Sequence, residues 1–165
     1  MVSLKFDSEA LQRIQLFKQV TKVDCKDSFE FRVEHSLSET APQNSFVVFV
    51  TAPRTAGLAI GKAGENVKFL RSKLNKFVKI IDEAETPEDL ILNFVYPMQP
   101  LFVKIESKSA TDASGNASSI KVANIKFANA GERRTLLGNN LANLKLLKFI
   151  VKRYFPDIAD VMVLQ

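Results

Sequence analysis

The chain carries one pattern twice, and any fold it adopts must satisfy both copies. Gly61-Lys-Ala-Gly-Glu-Asn-Val-Lys68 aligns at constant offset with Gly138-Asn-Asn-Leu-Ala-Asn-Leu-Lys145. Gly61 matches Gly138, Asn66 matches Asn143, and Lys68 matches Lys145. Thr55-Ala-Gly57 is echoed by Asn129-Ala-Gly131, with a few extra residues before the second turn. Around each copy the order helix, strand, strand, helix, helix, strand can be read, so an internal duplication is the economical explanation. The boundary falls near Glu83–Thr86 and gives two domains, residues 1–84 and 85–165. A chain of 165 residues has room for two such small domains. The expected fold class is α+β, each unit a three-stranded sheet packed on helices.

The elements follow from periodicity. Leu11, Ile14, Phe17 and Val20 recur at helical spacing over 9–21, with Asp7 or Ser8 as cap. Phe29, Phe31 and Val33 alternate with Glu30, Arg32 and Glu34 as in a half-buried strand. Ser36 to Asn44, with Pro42, reads as a loop, and Phe46–Val50 as a central strand. Ala56–Ile60 is short and apolar. Val67, Leu70 and Leu74 make one face of a helix over Glu65–Leu74, and Phe77–Ile81 is a strand. In the second copy Thr86-Pro87 is a strong helix start. Leu90, Ile91 and Phe94 form that helix's apolar face, and Pro97 ends it. Strands are predicted at Leu101–Ile105, Ile120–Phe127 and Val161–Leu164, and helices over 131–137 and 141–154. Ser107–Ser119 has no large apolar residue before its end and is expected to be the most flexible segment.

Charge narrows the function. The net charge is +5, from 23 basic and 18 acidic residues. Arg54, Lys62, Lys68, Arg71, Lys73, Lys76 and Lys79 are opposed only by Glu65; Arg133, Arg134, Lys145, Lys148, Lys152 and Arg153 only by Glu132. Two basic segments flank an acidic one (Asp82, Glu83, Glu85, Glu88, Asp89), which suggests two anion-facing surfaces. The acids straddle a helix start, where the dipole favours them, so a structural role is expected over a metal site. No apolar run is long enough for a membrane span, and Met1–Asp7 does not read as a secretory signal, so a cytoplasmic protein without membrane association is expected. A single cysteine, Cys25, and a single histidine, His35, leave no disulfide framework and no Cys- or His-based metal cluster. Cys25 is read as a half-buried structural thiol and His35 as solvated. Phe17, Phe46, Phe49, Phe94 and Phe127 are read as core. With no nucleophile–base pair apparent, the chain is expected not to be an enzyme and to need no cofactor.

Two helices joined by Gly-x-x-Gly and flanked by strands is the arrangement of a KH domain, which clamps about four nucleotides of backbone. Glycine tightens the turn and lets a phosphate approach. The next helix then presents unpaired N–H groups and its positive dipole end to that phosphate. Lys62 adds charge, and Ile60 would floor a groove for bases. The assigned RNA-binding residues are Arg54, Gly57, Ile60, Gly61, Lys62, Ala63, Gly64, Asn66, Lys68 and Arg71. A nucleotide-hydrolase loop fails on spacing: Gly57-Leu-Ala-Ile-Gly-Lys62 has three residues between glycines where four are needed, and Ala63 replaces the Mg²⁺-holding Ser/Thr.

Ala59-Ile-Gly-Lys-Ala-Gly-Glu-Asn-Val-Lys68 resembles the hallmark of NusA-type KH domains, and Leu11–Thr21, Asp24-Cys25-Lys26 and Thr86–Leu90 resemble the corresponding parts of short archaeal NusA proteins. The resemblance runs over essentially the whole chain. It implies two tandem type II KH domains and a transcription elongation or termination factor that acts on nascent RNA with RNA polymerase. Composition and spacing alone support only single-stranded nucleic-acid binding. Ala63 stands where the family usually has glycine. In the second turn Leu141 replaces the last glycine, and Asn139 and Asn140 stand where a basic residue is expected. The second domain is therefore expected to be degenerate, a secondary RNA surface of Arg133, Arg134, Gly138, Asn139, Asn140, Asn143 and Lys145. A monomer is expected. The alternative is a KH-type interaction module docking on polymerase or ribosome with weak RNA contact.

Overall fold

A computed structural model describes residues 8–33 and 45–165. The cap Asp7, His35 and the loop Ser36–Asn44 lie outside the described residues. The chain divides into two compact units, Met1–Glu83 and Ala84–Gln165, and is α+β, with two three-stranded sheets packed on helices.

The first unit runs α1 (Ser8–Thr21), β1 (Cys25–Arg32), β2 (Ser45–Thr51), α2 (Ala56–Ile60), α3 (Glu65–Leu74) and β3 (Phe77–Asp82). Its sheet has the order β1-β2-β3, with β1 antiparallel and β3 parallel to the central β2. A parallel neighbour requires a crossover, and α2 and α3 supply it. Every residue of β2 is buried, as an apolar run in a central strand demands. Phe17 stacks on Phe49 with ring centroids 4.5 Å apart, at the centre of a core that also holds Val47, Ala56, Ala59, Leu70 and Ile80. Each large side chain so buried stabilises the unit by about 1.5–3 kcal/mol. This core fixes α2 and α3 on one face of the sheet, both touching the edge strand β3.

The second unit runs α4 (Pro87–Val95), β4 (Phe102–Thr111), β5 (Ala117–Lys126), α5 (Ala130–Leu137), α6 (Ala142–Tyr154) and β6 (Ile158–Val163), with sheet order β4-β5-β6 and the same mix of pairings. Thr86 caps α4: its hydroxyl oxygen accepts from the Asp89 N–H at 3.2 Å, and the hydroxyl donates to Asp89 Oδ2 at 2.8 Å. Leu146, Leu147, Ile150 and Val151 of α6 are buried, as are Leu90, Ile91, Phe94 and Val95 of α4. Phe17, Phe46, Phe49, Phe94 and Phe127 are all buried.

The strands predicted at Leu101–Ile105 and Ile120–Phe127 extend well into Ser107–Ser119, which forms the outer part of a hairpin paired from Phe102↔Lys126 to Thr111↔Ala117. Backbone pairing needs no apolar side chain, and its turn is organised by Asp112. That carboxylate accepts from the N–H groups of Ser114 (2.9 Å) and Asn116 (2.8 Å), and Gly115 takes a positive φ of 82°. The hydrogen bond from the Asn116 N–H is the largest influence holding the Asp112 carboxyl below its ordinary pKa.

Candidate nucleic-acid interface

The turn between α2 and α3 is built from three unusual backbone conformations. Gly61 has φ 79° and ψ 170°, a region open essentially to glycine alone. Ala63 (φ 52°, ψ 25°) and Gly64 (φ 72°, ψ 23°) are left-handed. The Gly61 N–H donates to the Gly57 carbonyl at 3.3 Å and the Gly64 N–H to the Gly61 carbonyl at 3.1 Å. A Cβ on Gly64 would meet no atom within 4 Å, so open space lies beside the backbone there. A Cβ on Gly61 would come 2.9 Å from Asn66 Nδ2. That amide donates to the Ala59 carbonyl at 3.1 Å and so ties the end of α2 to the start of α3. Asn66, assigned to RNA contact from sequence, spends its amide inward.

The N-terminus of α3, with Gly64 as cap residue, receives no hydrogen bond from a capping side chain. The first of its N–H groups, that of Glu65, donates to the Lys62 carbonyl, and the dipole's positive end lies at the turn beside the open space. Lys62 is exposed in the turn and Lys68 on the first turns of α3, and neither makes an ion pair among the described residues. The site residues do not all converge. Arg71 lies farther along α3 with its guanidinium 4.3 Å from the Phe77 ring centroid, on the β3 side. Arg54, exposed with φ 66°, sits before α2, at that helix's opposite end from the turn. Gly57 is exposed on α2, whereas Ile60 is half-buried against the core. Lys76 pairs with Glu30 at 2.7 Å. Burial lowers the Lys79 ammonium to a pKa of about 8.

The second turn repeats this backbone with other side chains. Gly138 has φ 70° and ψ 178°, Asn140 φ 52° and ψ 32°, and Leu141 φ 60° and ψ 24°. Asn143 Nδ2 donates to the Thr135 carbonyl at 3.1 Å and lies 2.9 Å from where a Gly138 Cβ would stand. Leu141 is 46% exposed, so its isobutyl group has not turned into the core. Asn139, Asn140, Arg134 and Lys145 are exposed, while Arg133 is half-buried.

Sequence reading missed the role of Asp82 and the exposure of Leu58 and Phe69. Asp82 does not serve the start of α4: its Oδ1 accepts from the N–H groups of Thr55 (3.0 Å) and Ala56 (2.8 Å) at the start of α2. Leu58 on α2 is 71% exposed and Phe69 on α3 48% exposed, with Lys73 Nζ 5.5 Å from the Phe69 ring centroid. Amphipathic spacing along α3 carried the hint for Phe69, which falls outside the Val67–Leu70–Leu74 face. Cys25 is half-buried, its thiol donating to the Asp27 carbonyl at 3.0 Å, and burial pushes its pKa up to about 12. Among the described residues no helix is long and apolar enough to cross a membrane, and no group of three or more His, Cys, Asp or Glu could hold a metal ion.

No protein-family model matches the chain. Several curated proteins are similar to it at low identity. One named probable transcription termination protein NusA, from Methanococcus vannielii, is 30% identical over 96 residues, covering 58% of this chain and 49% of that protein, about half its length. Proteins of the same name from Halobacterium salinarum and Methanocaldococcus jannaschii are 24% and 28% identical over 165 and 156 residues. These matches cover 98% and 93% of this chain, and 99% and 72% of those proteins. A crystal structure of the protein APE1850 matches with a TM-score of 0.66 over 96% of this chain and all of that one, at 18% sequence identity, which is a likeness of fold.

Proposed function

We propose that the chain is a NusA-like transcription elongation or termination factor. On this reading it consists of two tandem type II KH domains, residues 1–84 and 85–165, and grips single-stranded RNA with the turn of the first. The observation that carries the reading is the turn itself: open space beside Gly64, an α3 N-terminus that no side chain caps, and Lys62 and Lys68 without ion-pair partners among the described residues. A phosphate in that space meets the positive end of the α3 dipole and two ammonium groups. The names of the similar proteins support transcription termination as the setting; nascent RNA and RNA polymerase as partners, and the cytoplasm as the compartment, are part of the proposal. Binding rather than catalysis is the role proposed.

A salt titration with single-stranded RNA tests this. Contact with three or four phosphates gives a slope of log affinity against log salt of about −2 to −3, at roughly −0.7 per phosphate. A duplex bound as tightly as a single strand would contradict the groove. The second reading, docking on polymerase or ribosome with weak RNA contact, has exposed Leu58 and Phe69 in its favour. It predicts weak RNA affinity and a shallow slope.

A further inference from the structure

An acid close to an anion-binding turn is a cost unless it does something else. Asp82 ends β3, and its Oδ1 accepts three hydrogen bonds: from the Thr55 N–H at 3.0 Å, the Ala56 N–H at 2.8 Å and the Thr51 hydroxyl at 3.1 Å. Thr55, the residue before α2, makes no side-chain cap of its own. The start of α2 is therefore held from the edge strand on the far side of the crossover, by the strand that follows α3. At its other end α2 is held to α3 by the Asn66 amide. The five-residue helix is pinned at both ends, and the turn hangs from it.

The second unit solves the same problem locally. Asn129 caps α5, its side-chain oxygen accepting from the Glu132 N–H at 2.8 Å. Ile125 pairs with Val163 where Thr51 pairs with Asp82, and Leu164 N–H to Ile125 carbonyl repeats Glu83 N–H to Thr51 carbonyl, both at 2.8 Å. Val163 has no carboxylate, so no side chain at that position ties α5 to its edge strand. The carboxylate tie is present in the unit whose turn keeps the lysine and the open space.

We infer that Asp82 is a positioning residue for the first turn: it locks α2 to β3 so that the turn and the neighbouring strand edge form one preorganised surface. The inference rests on the RNA-binding reading for its second readout and not for its first. Its sign is diagnostic. Five residues of helix put Asp82 about 8 Å from the turn, within roughly one Debye length at physiological salt. If Asp82 acted only through its charge, removing that charge would tighten RNA binding. If it positions the turn, Asp82→Ala weakens binding although a negative charge has gone.

The test compares the whole chain with Asp82→Ala and Asp82→Asn. Where Asp82→Ala does not fold, Asp82→Val with Thr55→Asn, which imports the second unit's local cap, takes its place. The first readout is hydrogen exchange of the Gly61 and Gly64 amides without ligand; the second is affinity for single-stranded RNA as a function of salt. Expected are faster exchange at both amides, affinity lower by about fivefold or more, and an unchanged salt slope, since no phosphate contact is lost. Asp82→Asn keeps an accepting oxygen and is expected to bind at least as tightly as the parent. Unchanged exchange at the turn, or Asp82→Ala binding RNA as well as the parent, overturns the inference. A parent that binds no RNA while the turn amides still respond would sink the RNA reading and leave the positioning role standing.

Discussion

The two turns have nearly the same backbone and present different chemistry. From Gly61 to Gly64 and from Gly138 to Leu141, matched residues differ by at most about a dozen degrees in φ or ψ at the three unusual positions. The first position is glycine in both because a φ near +75° with ψ near 180° admits little else. The last is left-handed, which costs another residue only about 1–2 kcal/mol, so leucine can stand there. An inward asparagine braces each turn. The shape of such a turn is thus specified by its first glycine and its asparagine, and survives loss of the second glycine. What the second glycine and the lysine decide is what the turn can hold.

The comparison breaks first on charge. Lys62→Asp with Ala63→Asp is expected to leave the fold intact, since both residues are exposed, and to cost at least tenfold in RNA affinity, about 1.4 kcal/mol. Asn139→Asp with Asn140→Asp is expected to cost less than about threefold. The charge changes are −3 and −2, so diffuse attraction alone would scale the two losses as three to two in log affinity. Binding curves for both double variants decide it, and equal losses would mean that both units grip RNA alike.

Gly64→Leu sharpens the comparison by giving the first turn the second turn's residue. Nothing lies within 4 Å of the new Cβ, and Leu141 already occupies the same backbone conformation. The unit should lose only some tenths of a kcal/mol, because the left-handed leucine's cost of about 1–2 kcal/mol is offset by roughly 0.5–1 kcal/mol of glycine backbone entropy. RNA affinity falls by about fivefold as the isobutyl group takes the phosphate's place. Full affinity in a folded Gly64→Leu variant would show that no ligand approaches that backbone.

A smaller effect should be the same in both units. Asn66→Ala and Asn143→Ala each remove the donor to one carbonyl, Ala59 or Thr135, at a cost of about 1 kcal/mol. Hydrogen exchange within each turn measures it. RNA affinity should respond only to Asn66→Ala, and a large difference between the two exchange effects would mean that the turns are not built alike.

How much of this was legible depended on whether the determining interaction is local in sequence. The repeat, the element order and the core phenylalanines follow from spacing, and Thr86-Pro87 announced α4 because an N-cap acts on its own next turn. The left-handed Gly64 is foreshadowed by the glycine pattern, whereas the left-handed Ala63 and Leu141 are not, since neither residue carries a glycine signal. Asp82 was hidden: its partners Thr55 and Ala56 lie across a crossover, and its neighbours in sequence made it look like part of the acidic start of α4. The hairpin at Ser107–Ser119 was hidden for the opposite reason. Its pairing is carried by backbone groups that every residue has, so small polar side chains gave no sign of strand.

The smallest expected effect is Leu141→Gly, which restores the missing glycine to the second turn. Two terms nearly cancel in its stability. Relief of a left-handed leucine returns about 1–2 kcal/mol, while glycine costs roughly 0.5–1 kcal/mol more in backbone entropy on folding. A net gain of some tenths of a kcal/mol is expected, read as a slight rise in Tm. The change also opens the space that stands beside Gly64 in the first turn, yet Asn139 still offers no charge. RNA affinity should therefore move by less than about twofold with Leu141→Gly alone, and by about two- to threefold when Asn139→Lys is added. If the single change gains as much as the pair, room rather than charge is what the second turn lacks, and the leucine is the whole difference between the two units.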